Sequence, residues 1–144
     1  MAKLFRLTDR ITVKIANDFT LQLSPLSFDK KIEIQTLVSE GMKGDQFKIL
    51  EGTRKAIKYC VKGVSGIEDT DGNEYVLEFD DDGTLSDDDV ENLLNLSYSN
   101  HIAQVCSIMS SGVPAGDFVG VDGNPIEGVK RVMPARKKGK SSKN

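Results

Sequence analysis

Two short runs constrain this chain more than anything else in it. Ile11-Thr12-Val13-Lys14-Ile15 and Phe19-Thr20-Leu21-Gln22-Leu23 alternate apolar and polar residues without a break, and Ala16-Asn17-Asp18 between them is turn chemistry. Side chains alternate faces along a strand. The pair therefore predicts a β-hairpin with Ile11, Val13, Ile15, Phe19, Leu21 and Leu23 on its inner face.

After the hairpin the hydrophobic period changes from two to that of a helix. Ser24-Pro25 ends the second strand, and Ser27 is placed to cap a helix from Phe28 to Ser39. Phe28, Ile32 and Leu37 lie near one face of it, and Gly41 is expected to close it at the C′ position. A second helix is predicted from about Asp45 to Lys62, with Phe47, Leu50, Ile57, Cys60 and Val61 as its apolar stripe and Gly63 as its stop. Gly52 inside it implies a kink or a close packing contact. Asp71-Gly72 between Val64–Ile67 and Tyr75–Phe79 predicts a second hairpin. Ser86 or Asp87 then caps a helix reaching about Asn95, with Val90, Leu93 and Leu94 apolar. The last helix, Tyr98 to Ser110, has the cleanest stripe: Ile102, Val105, Cys106 and Met109 recur at i, i+3, i+4 and i+7, before Gly112. Residues 113–133 read as a short strand pair around Asp122-Gly123-Asn124 or as an ordered loop on the core.

The expected fold is thus α+β, a single small domain over residues 1–133 with two β-hairpins and about four short helices. A chain of 144 residues suits one domain, and 38% hydrophobic residues permit a core. With no Trp and nine Phe and Tyr, that core must be mainly aliphatic. No apolar run approaches the roughly 18 to 20 residues that span a bilayer, and Met1 to Arg6 has no secretory h-region. The net charge of −3 divides unevenly. Residues 130–144 carry seven bases and no acid, whereas residues 1–129 carry 12 bases and 22 acids. The segment 134–144 has no apolar residue beyond Ala135 and is expected to be a disordered basic tail.

Few residues suggest chemistry. Between Glu68 and Glu91 lie 12 acids and no base. Setting Gly83 at the glycine of an EF-hand loop puts Glu78, Asp80 and Asp82 at positions 1, 3 and 5, Leu85 at 8, Ser86 at 9 and Asp89 at 12. Against that stand Glu at position 1, Asp at position 12 and an entering segment that reads as a strand, so no metal site is assigned. The alternative is a solvated turn at Asp80–Asp82 with Asp87–Asp89 at a helix N-terminus. Cys60 and Cys106 read as buried thiols. His101 has no ligand partners, and no zinc spacing, phosphate loop or nucleophile elbow occurs. No enzyme, cofactor or nucleic-acid partner is expected.

The order of segments resembles a known family. A hairpin ending at Leu23-Ser24-Pro25-Leu26 precedes a helix with Lys30-Lys31-Ile32-Glu33-Ile34-Gln35. A lysine-rich helix then ends Ala56-Ile57-Lys58-Tyr59-Cys60-Val61-Lys62-Gly63. Gly66-Ile67-Glu68-Asp69 and Asp71-Gly72-Asn73-Glu74-Tyr75 come next, and then the helix around Leu85 to Leu94. Over residues 10–110 this layout is similar to that of the tail assembly chaperones of long-tailed bacteriophages, the G-type products encoded upstream of the tape measure protein. The resemblance implies a non-catalytic protein of the host cytoplasm, absent from the finished virion. Such a protein binds the tape measure protein and recruits tail tube subunits. A longer product made by ribosomal frameshifting is also implied, for which Arg136-Lys137-Lys138-Gly139-Lys140 is a suitable ending. Grooves between the short helices are expected to accept an amphipathic helix of the client. Two alternatives remain: a phage tail or baseplate-hub structural component, and a calcium-dependent interaction domain built on Glu78 to Asp89.

Overall fold

In a computed structural model of the chain, which describes residues 3–132, the first hairpin forms as the alternation predicts. Strands β1 (Ile11–Ala16) and β2 (Phe19–Leu23) pair antiparallel with Ile11 opposite Leu23 and Val13 opposite Leu21. Asn17 takes the positive φ of the turn, which asparagine tolerates better than most residues. All six inward residues are buried.

Helix α1 (Phe28–Met42) starts at Ser27, whose hydroxyl accepts from Lys30 N at 3.4 Å. Gly41 does not end it. That glycine lies buried inside the last turn, where an added Cβ would overlap the side chain and backbone of Ile49. Nor do Phe28 and Ile32 face inward: both are exposed, and the helix packs through Ile34, Leu37, Val38 and Gly41. The packed stripe at 34, 38 and 41 is regular, but it includes a glycine that sequence reasoning reads as a stop.

Helix α2 (Gln46–Cys60) begins at Asp45, whose carboxylate accepts from Phe47 N at 3.1 Å. Its Gly52 makes a close packing contact, meeting Val38 and Leu37 of α1. Phe47 and Leu50, expected in the apolar stripe, are exposed, while Ala56, Ile57 and Cys60 are buried. Val61 and Lys62 are not helical. They begin strand β3 (Val61–Ser65), which pairs antiparallel with β2, and Gly63 sits within that strand beneath Gln22.

The second hairpin does not form as expected. Val64 and Ser65 are engaged by Leu21 and Thr20 of β2, so they are unavailable to Tyr75–Phe79. The Asp-Gly turn itself is present, closed by a single bridge between Glu68 and Glu74 and by Tyr75 N donating to Ile67 O at 2.8 Å. Two further turns share its geometry. In Asp69–Asn73, Asp80–Thr84 and Gly120–Asn124, the first residue's N–H donates to the fifth carbonyl at 2.8 Å and the fourth residue is a glycine with φ near +84. A type I turn with a left-handed glycine after it is the usual three-residue hairpin connection.

Helix α3 (Asp87–Leu94) is capped by Ser86, and α4 (Ser99–Ser111) buries Ile102, Val105, Cys106 and Met109 as its stripe predicts. Residues 113–129 form an ordered loop on the core, with Phe118, Ile126 and Val129 buried and one bridge between Val119 and Pro125. The loop leads to strand β4 (Lys130–Val132), which no sequence signal announced and which pairs antiparallel with β1. The fold is therefore mixed α and β: four helices and an antiparallel sheet in the order β3-β2-β1-β4. Helix α2 contacts α1, α3 and α4, and one cluster of buried residues joins sheet and helices. The predicted basic tail, 134–144, lies outside the described residues.

Close approach at Gly41 is directly testable. Alanine ordinarily favours a helix by about 1 kcal/mol over glycine, but here its methyl would press on the Ile49 backbone. Overpacking costs about 1 to 3 kcal/mol, so Gly41→Ala should lower stability in urea unfolding. Gly116→Ala, where a Cβ meets open space, should be close to neutral.

Candidate interaction surface

The acidic segment is occupied by internal bonds. At the C-terminal end of α2, Lys58 Nζ donates to Asp80 (2.9 Å), Leu85 O (2.8 Å) and Asp87 (3.0 Å). Burial alone would lower the Lys58 pKa. The hydrogen bonds to Asp80 and Asp87 outweigh it and hold the group above the ordinary 10.5. Lys62 Nζ reaches Gly83 O at 2.7 Å. Asp82 accepts from both the hydroxyl and the N–H of Thr84, which lowers its carboxyl pKa.

Asp89 is the buried member of the segment. Its Oδ2 accepts from Glu78 N (2.6 Å) and Ser86 Oγ (2.9 Å), and its Oδ1 accepts from the Tyr75 hydroxyl. Ser86 Oγ in turn accepts from Asp89 N at 3.2 Å and so caps the start of α3. Burial and the Asp89 carboxylate both raise the Tyr75 pKa, and Asn92 Nδ2 donates to the same phenol oxygen at 2.9 Å. The pattern Ser86-x-x-Asp89 was visible in the sequence, but nothing there pointed to Tyr75.

Asp80, Asp82 and Asp89 thus each serve a different protein partner, and Leu85 is buried in the core. Among the described residues no group of three or more His, Cys, Asp or Glu is arranged to hold a metal ion. Cys60 and Cys106 are both buried, with Cys60 Sγ 3.6 Å from Cys106 O; the hydrogen bond with Cys60 and burial raise the Cys106 thiol pKa well above its usual value. His101 Nδ1 is buried on α4 without a hydrogen-bond partner among the described residues.

The sequence pattern puts Phe28, Ile32, Phe47 and Leu50 on packed helix faces, and the structure leaves them, together with Met42, as apolar surface on the α1–α2 pair. Phe28 is 73% exposed, Met42 77% and Phe47 81%, with Ile32 and Leu50 also outside. At 100° per residue Phe28, Ile32 and Met42 fall within about 80° of one another on α1. Phe47 and Leu50 are one turn apart near the start of α2. The two helices are held together by contacts of a different kind. Glu33 accepts from Tyr59 OH (2.7 Å) and pairs with Lys55 (3.4 Å), while Lys30 and Lys55 sit over the Tyr59 ring at 5.0 and 5.7 Å. The pair therefore keeps its shape without using its large exposed side chains.

Comparison of the chain with protein-family models, with curated proteins and with solved structures finds no match.

Removing the Asp89 carboxylate leaves Glu78 N, Ser86 Oγ and Tyr75 OH short of an acceptor. Hydrogen bonds to a charged group contribute about 1.5 to 3 kcal/mol, so Asp89→Ala should lose roughly 3 kcal/mol in urea unfolding with an unchanged slope. Because pairing raises the Lys58 pKa, its stabilising effect is complete below 10.5 and is lost as pH climbs through the higher folded value. The stability difference between wild type and Lys58→Met should accordingly be flat from about pH 6 to 9 and shrink above that.

Proposed function

We propose that this chain is a non-catalytic tail assembly chaperone of a long-tailed bacteriophage. It binds the tape measure protein and brings tail tube subunits to it in the host cytoplasm, and it is left out of the finished particle. The observation that carries the reading is the exposure of Phe28, Ile32, Met42, Phe47 and Leu50 on a helix pair whose own packing does not need them. Exposed apolar side chains that share a helix face, as Phe28, Ile32 and Met42 do, supply the kind of patch that marks a binding surface, and an amphipathic client helix is a partner that such helix faces accept. The layout of segments over residues 10–110 supports the family. The lysines at 137 and 138 are a suitable place for a frameshift into a longer product.

Co-expression with a tape measure protein segment tests it. The full chain should keep the segment soluble and co-purify with it, whereas Phe28→Asp and Phe47→Asp should weaken retention by about tenfold each, or 1.4 kcal/mol. Both sites are exposed, so thermal unfolding should be unchanged. Retention that ignores both substitutions, or wild type that never binds, overturns the reading. Recovery of the chain from purified particles would instead favour a tail or baseplate-hub component. Expression of the native gene with an N-terminal tag should yield a second, longer species whose junction maps near Lys137-Lys138.

A further inference from the structure

Residues 3–132 hold 22 acids against 14 bases, and every base on α2 pairs with an acid: Lys48 with Glu40, Arg54 with Glu91, Lys55 with Glu33, and Lys58 with Asp80 and Asp87. Among the described residues Arg10, Lys30 and Lys62 have no carboxylate partner, and these three meet at one place. They line a pocket of about 190 Å³ where the chain before β1, the start of α1 and the junction of α2 with β3 come together. Ser24, Ser27 and Tyr59 line it with them, and no acid does.

The acids nearest the pocket are engaged elsewhere. Glu33, one turn along α1 from Lys30, accepts from Tyr59 OH and pairs with Lys55. Asp9 accepts from Arg6 N at 2.7 Å, and Asp82 accepts from the N–H and hydroxyl of Thr84. The three cations therefore act on one another. Burial lowers the Lys62 pKa from its ordinary 10.5, the charges of Lys30 and Arg10 lower it further, and Asp82 offsets this only in part. Like charges gathered in a partly buried place are unfavourable until an anion completes the group.

The donors present identify the kind of anion. Arg10 Nη1 donates to Leu7 O at 3.1 Å and to Asp9 O at 2.9 Å, which holds the guanidinium in place and leaves its other N–H groups for a ligand. Lys62 Nζ gives one bond to Gly83 O, and Lys30 Nζ lies 5.0 Å from the centre of the Tyr59 ring. Ser27 Oγ accepts from Lys30 N, so its own proton remains to donate. A carboxylate offers one charge and two oxygens. A phosphate monoester carries about −1.5 to −2 at pH 7 and three strong acceptor oxygens, a closer match to three cations. The pocket is smaller than the roughly 300 Å³ at which drug-sized ligand sites begin, so it suits one such group. We propose that the pocket between Arg10, Lys30 and Lys62 binds a phosphate group, either inorganic phosphate or a monoester on a small molecule. The site uses none of the exposed apolar side chains of α1 and α2, and it holds whether or not those bind a client.

An amide NMR titration of the full chain with inorganic phosphate, against chloride at matched ionic strength, tests this. Wild type should show saturable shifts at Arg10, Ser27, Lys30 and Lys62, with a midpoint near or below about 1 mM. Arg10→Gln and Lys30→Gln should each weaken binding by about tenfold, with phosphate-free thermal midpoints close to that of wild type. Lys43→Gln removes the same charge at the far end of α1 and should leave binding as it is. O-Phosphoserine that binds at least as tightly as phosphate would identify an organic monoester as the source, and binding of phosphate alone would identify the free ion. Shifts that never saturate overturn the proposal, as does binding indifferent to both Arg10→Gln and Lys30→Gln. An equal loss on Lys43→Gln overturns it too, since the attraction would then belong to the whole surface. Acetate that binds as tightly as phosphate would make the pocket a carboxylate site, and the proposal would fail.

Discussion

Cys60 ends α2 and Val61, its C-cap, already begins β3; the Val61 N–H donates to Ile57 O and leaves the later carbonyls of the helix without a partner of its own. The last carbonyls of a helix need partners from somewhere. Here Cys60 O accepts from Ser24 N, at the end of β2, and Lys58 O accepts from Leu85 N, in the acidic segment. Helix, sheet and acidic loop meet at this one point. Lys58 and Lys62 sit there as well, their ammonium groups on Asp80, Leu85, Asp87 and Gly83. Positive charge at a helix C-terminus is favourable, and anchoring it in a loop that brings carboxylates makes the loop part of the helix end.

That junction explains why the most charged part of the chain is structural here. A run of carboxylates with a tight glycine turn is what a hard cation would need, and it is equally what a lysine-rich helix end and the N-terminus of α3 accept. Backbone folding distributes the acids among these tasks. Asp80 and Asp87 go to Lys58, Asp82 to Thr84, and Asp89 into the core edge with Tyr75 and Ser86. The same redistribution removes the second hairpin, because β3 turns its Val64 and Ser65 toward β2 and leaves only the turn at Asp69–Asn73.

Apolar residues divide in an informative way. The stripe of α4 is inside as its spacing requires, and so is the inner face of β1 and β2. On α1 and α2 the packed surface runs instead through Gly41, Gly52, Ala56 and Val38, small or short side chains that let the helices approach closely. Phe28, Met42 and Phe47 are left in solvent and Leu50 half outside. A burial rule based on side-chain size assigns these residues wrongly for a physical reason. Helix packing rewards shape fit as much as hydrophobicity, and glycine contributes the fit while carrying no hydrophobic signal.

The sequence by itself determined the hairpin at residues 11–23, the α4 stripe, the serine caps at Ser27 and Ser86, and the glycine turn at Asp71-Gly72. Each of these depends on neighbours within a few positions, through side-chain period, a local hydrogen bond or a backbone conformation that glycine takes cheaply. Only the tertiary structure decided where α2 stops, that Val61 begins a strand, that residues 130–132 complete the sheet, and which large apolar residues stay outside. Those outcomes depend on groups brought from 20 to 120 positions away: Ser24 and Leu85 on the end of α2, β2 on β3, and β1 on β4. Local pattern carries no record of such partners, because a free N–H, an open strand edge or a glycine gap looks the same until the other surface arrives.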